Sequence, residues 1–324
     1  GSPIVVVQGA KNADDVPGLS TVSSEVELRF ADGPGQLEAA LEGADVILGW
    51  NFASSGLAEA WDHATGVKWI QWSGAGVDAI MFPELVASDV VLTNCRGIFD
   101  RPMAEYVLGL LISMAKRFPE SLHHQSNRQW DYRLTELMFG KQALVVGTGS
   151  IGREIGRVLG AFGLKVDGVG RTRRDNDPDF GQIYGQTELL TALPHADYVV
   201  VVVPSTPTSR GMMNADAFRA MKPSARLVNV ARGNVMDEDA LIEALRENWF
   251  AGAALDVFMT EPLPETSPLW AMDNVIVSPH MSGDYYEHNE HMVDVFLDNL
   301  ERYRQGKPLK NVIDKALGFA AAHN

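Results

Sequence analysis

Cysteine is almost missing from this 324-residue chain, where Cys95 stands alone. An intrachain disulfide is excluded, and a reducing compartment, the cytoplasm, is expected. Also missing is any apolar run of bilayer length. The longest candidate, Ala104 to Ala115, is short and carries Glu105, so no membrane span is expected. The opening residues GSPIVVVQGAK lack the basic region and small-residue cleavage site of a secretory leader, and none is expected. No cluster has zinc-ligand spacing. The adjacent His123 and His124 cannot share a helix face, and no metal is expected. Positive charge is in deficit: 27 Lys and Arg against 42 Asp and Glu leave a net charge of −15. That opposes a nucleic-acid backbone or an anionic membrane as partner. An anionic small molecule must then be held by a local basic site. Internal repeats and low-complexity tracts are absent as well.

What is present is apolar residue enough for two cores, 46% of a chain about twice the length of a typical domain. The most informative stretch runs from Lys141 to Phe162. Ala143 to Val146 form a short β-leaning run, and Gly147, Gly149 and Gly152 follow at G-x-G-x-x-G spacing. Ile151, Ile155, Val158, Leu159 and Phe162 then recur at helical period. Strand, glycine turn and amphipathic helix, with a second strand at Lys165 to Val169, are the order a dinucleotide fingerprint requires. Glycine permits the tight turn, the approach of a pyrophosphate to bare backbone, and close helix–strand contact. The helix N-terminus adds unpaired N–H groups and the positive end of its dipole.

The rest of the chain alternates in the same way. Strands are expected at Ile4–Val7, Val26–Phe30, Asp45–Gly49, Val67–Gln71 and Val90–Asn94, with helix-compatible stretches at Gly35–Glu42 and Gly56–His63. Alternation of this kind predicts a parallel sheet covered on both faces. Two loops follow strand ends here. Ser73 to Asp78 (SGAGVD) has glycines that leave backbone N–H groups to face an anion. Trp50 is either core or pocket wall. A crossover through Asn94 to Pro102 leads into a helix, reaching about Phe118, that is apolar nearly all round and so expected to be buried. Beyond the glycine motif, strands are expected at Lys165–Val169, Tyr198–Val203, Arg226–Val230, Gly252–Val257 and Val275–Ser278. With the first strand they make a six-stranded doubly wound sheet. Helix starts are signalled at Thr187, Asn214 and Asp237. A long helix is expected from Ser282 to Gln305, followed by a tail over 306–324, the whole segment crossing back to the first domain.

In open α/β sheets ligands bind beyond the carboxyl ends of the strands. Arg232, Asp256, Glu261 and His280 all lie at or just past such ends. This set suits reduction of a 2-oxo acid. Arg232 can fork onto the substrate carboxylate and polarise the neighbouring carbonyl. A protonated His280 can give the carbonyl oxygen its proton, with Glu261 favouring the imidazolium and fixing its orientation.

These motifs resemble one family over essentially the whole chain, the D-isomer-specific 2-hydroxyacid dehydrogenases. The matching stretches are GTGSIGREIG (147–156), LVNVARGNVMDEDAL (227–241), GAALDVFMTEPLP (252–264) and SPHMSG (278–283), with SGAGVD (73–78) and MAEYVLGLLI (103–112) upstream. The resemblance implies an α/β chain of two doubly wound parallel-sheet domains. A flavodoxin-like substrate domain (1–101 plus 282–324) would receive an inserted Rossmann cofactor domain (102–281). It implies catalytic roles for Arg232, Glu261 and His280, and a nicotinamide carboxamide contact for Asp256. Cofactor contacts fall on Gly147, Gly149, Ser150, Ile151, Gly152, Pro204, Val230 and Ala231. Substrate contacts fall on Trp50, on Arg232 and on the backbone of Gly74, Ala75 and Gly76. A homodimer with a hinged cleft is implied too. Trp50, the MAEY helix, the GRTRR turn and the EPLPETSPLW run look most like the bacterial glyoxylate/hydroxypyruvate reductases. Glu261 sets the chain apart from the formate dehydrogenases of the superfamily. No room is expected for the regulatory domain of the longer phosphoglycerate dehydrogenases.

The cofactor argument is physical. NAD-selective folds end the second strand with an acid that hydrogen-bonds the ribose 2′-hydroxyl. Here Gly168-Val169-Gly170 is followed by Arg171, Thr172, Arg173 and Arg174, a turn that welcomes a 2′-phosphate. NADP(H) is expected over NAD(H). Two other readings stay open at this point. One is a phosphoglycerate dehydrogenase-like enzyme, for which Arg96 or Arg101 would hold the phosphate. The other is a corepressor-like protein that senses nicotinamide cofactors without turnover.

Overall fold

The structure is a computed structural model that describes residues 1–51 and 54–320; the last four residues of the expected tail lie outside the described residues. The chain opens with β1 (Ile4–Gln8), β2 (Glu27–Ala31), α1 (Pro34–Leu41), β3 (Val46–Gly49), β4 (Trp69–Trp72), α2 (Pro83–Ala87) and β5 (Val91–Thr93). It continues with α3 (Asp100–Ala115), α4 (Phe118–Ser126), β6 (Gln142–Val146), α5 (Ser150–Phe162), β7 (Lys165–Val169), β8 (Arg174–Asp175) and β9 (Gln182–Tyr184). Then come α6 (Leu189–Ala192), β10 (Tyr198–Val201), α7 (Ala215–Ala220), β11 (Arg226–Asn229), α8 (Glu238–Arg246), β12 (Gly252–Leu255) and β13 (Val275–Val277). The last elements are α9 (His288–Arg304) and a small hairpin, β14 (Ile313–Asp314) and β15 (Phe319–Ala320). Two compact units result, one of residues 1–99 with 285–324 and the other of residues 100–284.

In the first unit five parallel strands lie in the order β2-β1-β3-β4-β5, the flavodoxin-like arrangement. The period of two along β1 divides its side chains between two cores. Val6 joins Leu37 and Leu41 of α1 on one face, while Val5 and Val7 meet Val293, Phe296 and Leu300 of α9 on the other. Gly56–His63 does not form an α-helix; only Trp61–His63 makes a 3-10 turn, after Gly56 takes a positive φ of 95°. Helix α9 starts at His288, later than Ser282, because residues 282–287 are committed to turns and to a buried carboxylate described below.

The second unit holds an eight-stranded sheet, β13-β12-β11-β10-β6-β7-β9-β8, parallel except for β8. The six-strand expectation missed β8 and β9, which are only two and three residues long and offer no periodicity to read. Phe218 of α7 and Leu241 and Leu245 of α8 pack on Leu144, Val199 and Leu227. Helix α3 packs along α5 and against β11 and β12. It is not apolar all round: Arg101, Glu105 and Gly109 are exposed, and Met103, Val107, Leu110 and Leu111 form the buried face. Asn214 and Asp237 cap α7 and α8 by accepting from Ala217 N–H and Ala240 N–H. Thr187 caps nothing and lies inside a 3-10 turn that precedes α6. The helix after the first strand depends on glycine for a steric reason. A Cβ on Gly152 would stand 1.8 Å from the Gly147 carbonyl oxygen, so the turn closes only if that position is bare. Among the described residues no helix is long and apolar enough to cross a membrane.

Candidate active site

All parallel strands of the second unit point the same way, so the segments after β6, β7, β10, β11 and β12 gather at one edge of the sheet. Arg232 is delivered there by a loop whose shape is set from within the sheet. Asn229, the last residue of β11 and 1% exposed, donates its side-chain amide to the Arg232 carbonyl (3.1 Å) and accepts from Ala231 N–H (2.9 Å). The Arg232 guanidinium donates to the Ala231 carbonyl at 2.8 Å. Gly233 then meets the neighbouring loop so closely that a Cβ would fall 1.9 Å from the Phe258 carbonyl carbon. The Arg232 loop and the loop after β12 are thereby interlocked. Met259 N–H donating to Glu238 at the start of α8 (2.9 Å) adds a second tie.

Glu261 closes that second loop and uses both oxygens. Oε1 accepts from Phe258 N–H at 3.0 Å, and Oε2 faces His280 Nδ1 at 2.6 Å. With Nδ1–H given to the carboxylate, Nε2 is the ring nitrogen left to carry a transferable proton. Burial pushes the Glu261 carboxyl up, but His280, the Phe258 amide and the Arg232 charge outweigh it and hold the group below its ordinary value of 4.5. The side chains of His280 and Glu261 are 30% and 34% exposed, so the pair is open to a small molecule. The structure therefore brings Arg232, Glu261 and His280 to one place.

Asp256 is held from within its own chain. It is 0% exposed, and its carboxylate accepts from Ser278 Oγ (2.6 Å), Met281 N–H (3.0 Å) and Ser282 N–H (2.9 Å). Its backbone carbonyl accepts from His280 N–H at 2.8 Å. Both oxygens are engaged by the chain's own loop. The Tyr106 hydroxyl of α3 lies beside Ser278 and Asp256, and burial raises its pKa.

The expected cofactor residues fall along the same edge. Gly147, Gly149, Ser150, Ile151 and Gly152 form the turn into α5, whose N-terminus carries orphan N–H groups. A Cβ on Gly149 would meet nothing, so this backbone is open to an approaching group. Ser150 hydrogen-bonds Asp100 at the start of α3. Pro204 is exposed just beyond β10, and Val230 and Ala231 are buried just beyond β11. Arg171, Thr172, Arg173 and Arg174 are exposed. Their turn is more structured than a simple basic loop. Arg173 donates to Glu188 (2.7 Å) and lies 5.7 Å over the Tyr184 ring, while Arg174 opens β8. Glu188 also accepts from Gly185 N–H at 2.7 Å.

The remaining candidates lie in the first unit. Gly74, Ala75 and Gly76 follow β4, half-buried, with the Gly74 and Ala75 carbonyls taken by Cys95 N–H (2.9 Å) and Asn94 Nδ2 (2.8 Å). Trp50, half-buried after β3, packs on the core formed by Val5, Val7 and Leu48. Sequence reasoning passed over Asn94, Asn229 and Ser278. Each is a buried polar residue at or just past a strand end, and Asn229 and Ser278 also lie inside the 227–241 and 278–283 stretches, the one signal that could have raised them. Among the described residues no group of three or more His, Cys, Asp or Glu is placed to hold a metal ion.

Comparison with known proteins gives a consistent picture. Residues 108–282 match the family model described as D-isomer specific 2-hydroxyacid dehydrogenase, NAD binding domain. A glyoxylate reductase of Thermofilum pendens is 34% identical over 265 residues, covering 80% of this chain and 78% of its own length. A solved D-isomer specific 2-hydroxyacid dehydrogenase from Xanthobacter autotrophicus, in complex with NADPH and MES, is 30% identical. It covers 98% of this chain and 100% of its own, with a TM-score of 0.84. An NADPH-dependent glyoxylate/hydroxypyruvate reductase from Sinorhizobium meliloti, in complex with NADP and sulfate, is 26% identical with a TM-score of 0.85. It too covers 98% of this chain and 100% of its own.

Proposed function

Because the chain belongs to the D-isomer-specific 2-hydroxyacid dehydrogenase family, and so to the NAD(P)-dependent oxidoreductases, we propose that it reduces a small 2-oxo acid of the glyoxylate or hydroxypyruvate type to the D-2-hydroxy acid. The observation that carries this reading is the 2.6 Å pair of His280 and Glu261 interlocked with the Arg232 loop. Arg232 holds the substrate carboxylate and draws electron density from the adjacent carbonyl. Nicotinamide, when bound, supplies the hydride to the carbonyl carbon. His280 Nε2 gives its proton to the carbonyl oxygen, and Glu261 stabilises the charged imidazole before the transfer. On the first unit, the substrate contacts we assign are the backbone of Gly74, Ala75 and Gly76 and the side chain of Trp50.

The cofactor residues fit a dinucleotide: the α5 N-terminus faces an open, glycine-bare turn suited to a pyrophosphate. NADP(H) is the preferred form, with NAD(H) possible. No acid ends β7, and Arg171 to Arg174 follow it. NADPH and NADP complexes of the two structural relatives support this choice. Residues 102–281 serve as the cofactor domain, and 1–101 with 282–324 as the substrate domain. We assign the chain to the cytoplasm as a homodimer, the dimer resting on the exposed apolar side chains of Trp130, Leu134 and Leu137. A phosphorylated substrate is disfavoured because Arg101, one of two candidate phosphate ligands, is ion-paired with Glu154 at 3.0 Å.

The test is oxidation of NADPH and NADH with glyoxylate, hydroxypyruvate, pyruvate and phenylpyruvate, beside a His280→Ala control. Turnover of the small acids with NADPH, lost in the control, is the expected result. Cofactor binding without turnover of any acid would move the assignment to a sensing role.

A further inference from the structure

His280 adopts a left-handed backbone conformation, φ 52°, which residues other than glycine rarely hold unless their surroundings impose it. The surroundings here are one buried residue. Four donors from Ser278, His280, Met281 and Ser282 converge on Asp256, three on its carboxylate and one on its carbonyl. A carboxylate with 0% exposure is costly unless hydrogen-bonded. Two of the three carboxylate donors are backbone N–H groups flanking His280 on its C-terminal side. The third, Ser278 Oγ, is a side chain two residues before it, itself 8% exposed. Ser278 thus ties the entry of the loop to the same anion that gathers its exit.

We propose that Ser278 is a positioning residue for the acid: with Asp256 it holds the 278–282 loop in the shape that sets His280 against Glu261. This rests on the reading of His280 as the proton donor. It also gives Asp256 a role toward the chain's own loop, beside the nicotinamide contact that the family resemblance implies. Charged and titratable groups around His280 include Glu261 at its Nδ1, Arg232 acting on Glu261, Asp256 beneath its backbone, and Tyr106 of α3 beside Asp256.

Ser278→Ala removes the side-chain donor and leaves both N–H donors in place. Its kcat for oxo-acid reduction should fall about ten-fold, short of the hundred-fold or more that an acid itself contributes. The alkaline limb of its pH profile should move to lower pH, because a loosened His280–Glu261 pair gives up the proton more readily. The NADPH dissociation constant, read by fluorescence titration, should stay within about two-fold. Ser278→Thr, which keeps the hydroxyl, should restore both kinetic features. Asp256→Asn should shift them in the same direction as Ser278→Ala and further. A Ser278→Ala enzyme with wild-type kcat and pH limb overturns the proposal. So does a Thr variant as impaired as the Ala variant, or a loss of NADPH binding that tracks the loss of kcat. If the wild type reduces no oxo acid, the functional reading fails on its own. The positioning claim is then decided by NMR titration of the His280 imidazole, whose midpoint must move in Ser278→Ala and return in Ser278→Thr.

Discussion

Glu261 joins two functions in one carboxylate, since one oxygen closes its own loop through Phe258 N–H and the other receives His280. Glu261→Gln keeps the shape and discards the charge. In the reductive direction the imidazole must be protonated, and the lost carboxylate no longer favours that form. We expect kcat to fall about a hundred-fold and the alkaline limb to move to lower pH, measured by initial rates with glyoxylate and NADPH. Stability follows the opposite limb of pH. The Glu261 carboxyl lies below its ordinary 4.5 in the folded chain, so its contribution is complete above that value. It is lost as pH falls through the lowered folded value. Urea midpoints of wild type and Glu261→Gln should therefore differ at neutral pH and converge in acid. Persistent separation in acid would contradict the linkage. That Arg232, Glu261 and His280 come together was legible because each lies three to six residues past the end of a readable strand of one parallel sheet. Asn229 and Ser278 were not, because a short polar side chain beside a turn reads as a turn former until its buried partner is seen.

At the scale of elements, two features decide how precisely the site is held. The first is the contact of the Arg232 loop with the loop after β12, where Gly233 leaves no room for a side chain. Gly233→Ala should push the guanidinium and the carboxylate apart. We expect kcat/KM to drop about a hundred-fold, as small misplacements of reacting groups do, with NADPH affinity retained. The second is the turn after β7. Arg153 binds Asp177 (2.8 Å) and Asp179 (2.9 Å), and Arg157 reaches Asp179 (2.9 Å), so the chain beyond the turn is clasped to α5. Arg173 is committed to Glu188. Arg173 should then act chiefly through the turn that it helps to hold, whereas Arg171 is the residue directly after the Gly168-Val169-Gly170 strand end. Arg171→Ala should weaken NADPH about ten-fold or more and leave NADH unchanged, the loss of one charge-assisted contact to a 2′-phosphate. Arg173→Ala should act on both cofactors alike, through the turn. Equal selectivity in the two variants would reject that division. The arginine run was plain in the sequence, but the strand that supplies its neighbours, β9, is three residues long and was invisible.

At the scale of the whole molecule, charge and exposed apolar surface point in opposite directions. A net charge of −15 makes two copies repel. Yet residues 130–139 display Trp130 at 99%, Leu134 at 78% and Leu137 at 72% exposure. This arm is anchored, not loose. Arg133 donates to Ser121 (2.6 Å), and Glu136 is held by Lys141 and by Arg226 (3.1 Å). Fixing the polar residues while presenting the apolar ones suits a surface meant to be covered, and a second copy of the chain is the occupant we propose. The alternation of anchor and exposed side chain was not readable from sequence, where Trp130, Leu134 and Leu137 look no different from the buried Met138 of the same stretch. If burial of these side chains drives association, at roughly 1.5–3 kcal/mol for each large one, Leu134→Glu with Leu137→Glu should yield a folded monomer. Light scattering with circular dichroism would establish both properties. Salt gives the complementary test. Screening weakens the repulsion between acidic copies and leaves apolar burial intact, so raising ionic strength should tighten the dimer. An interface held mainly by ion pairs would loosen instead, and that outcome would remove the arm as its basis.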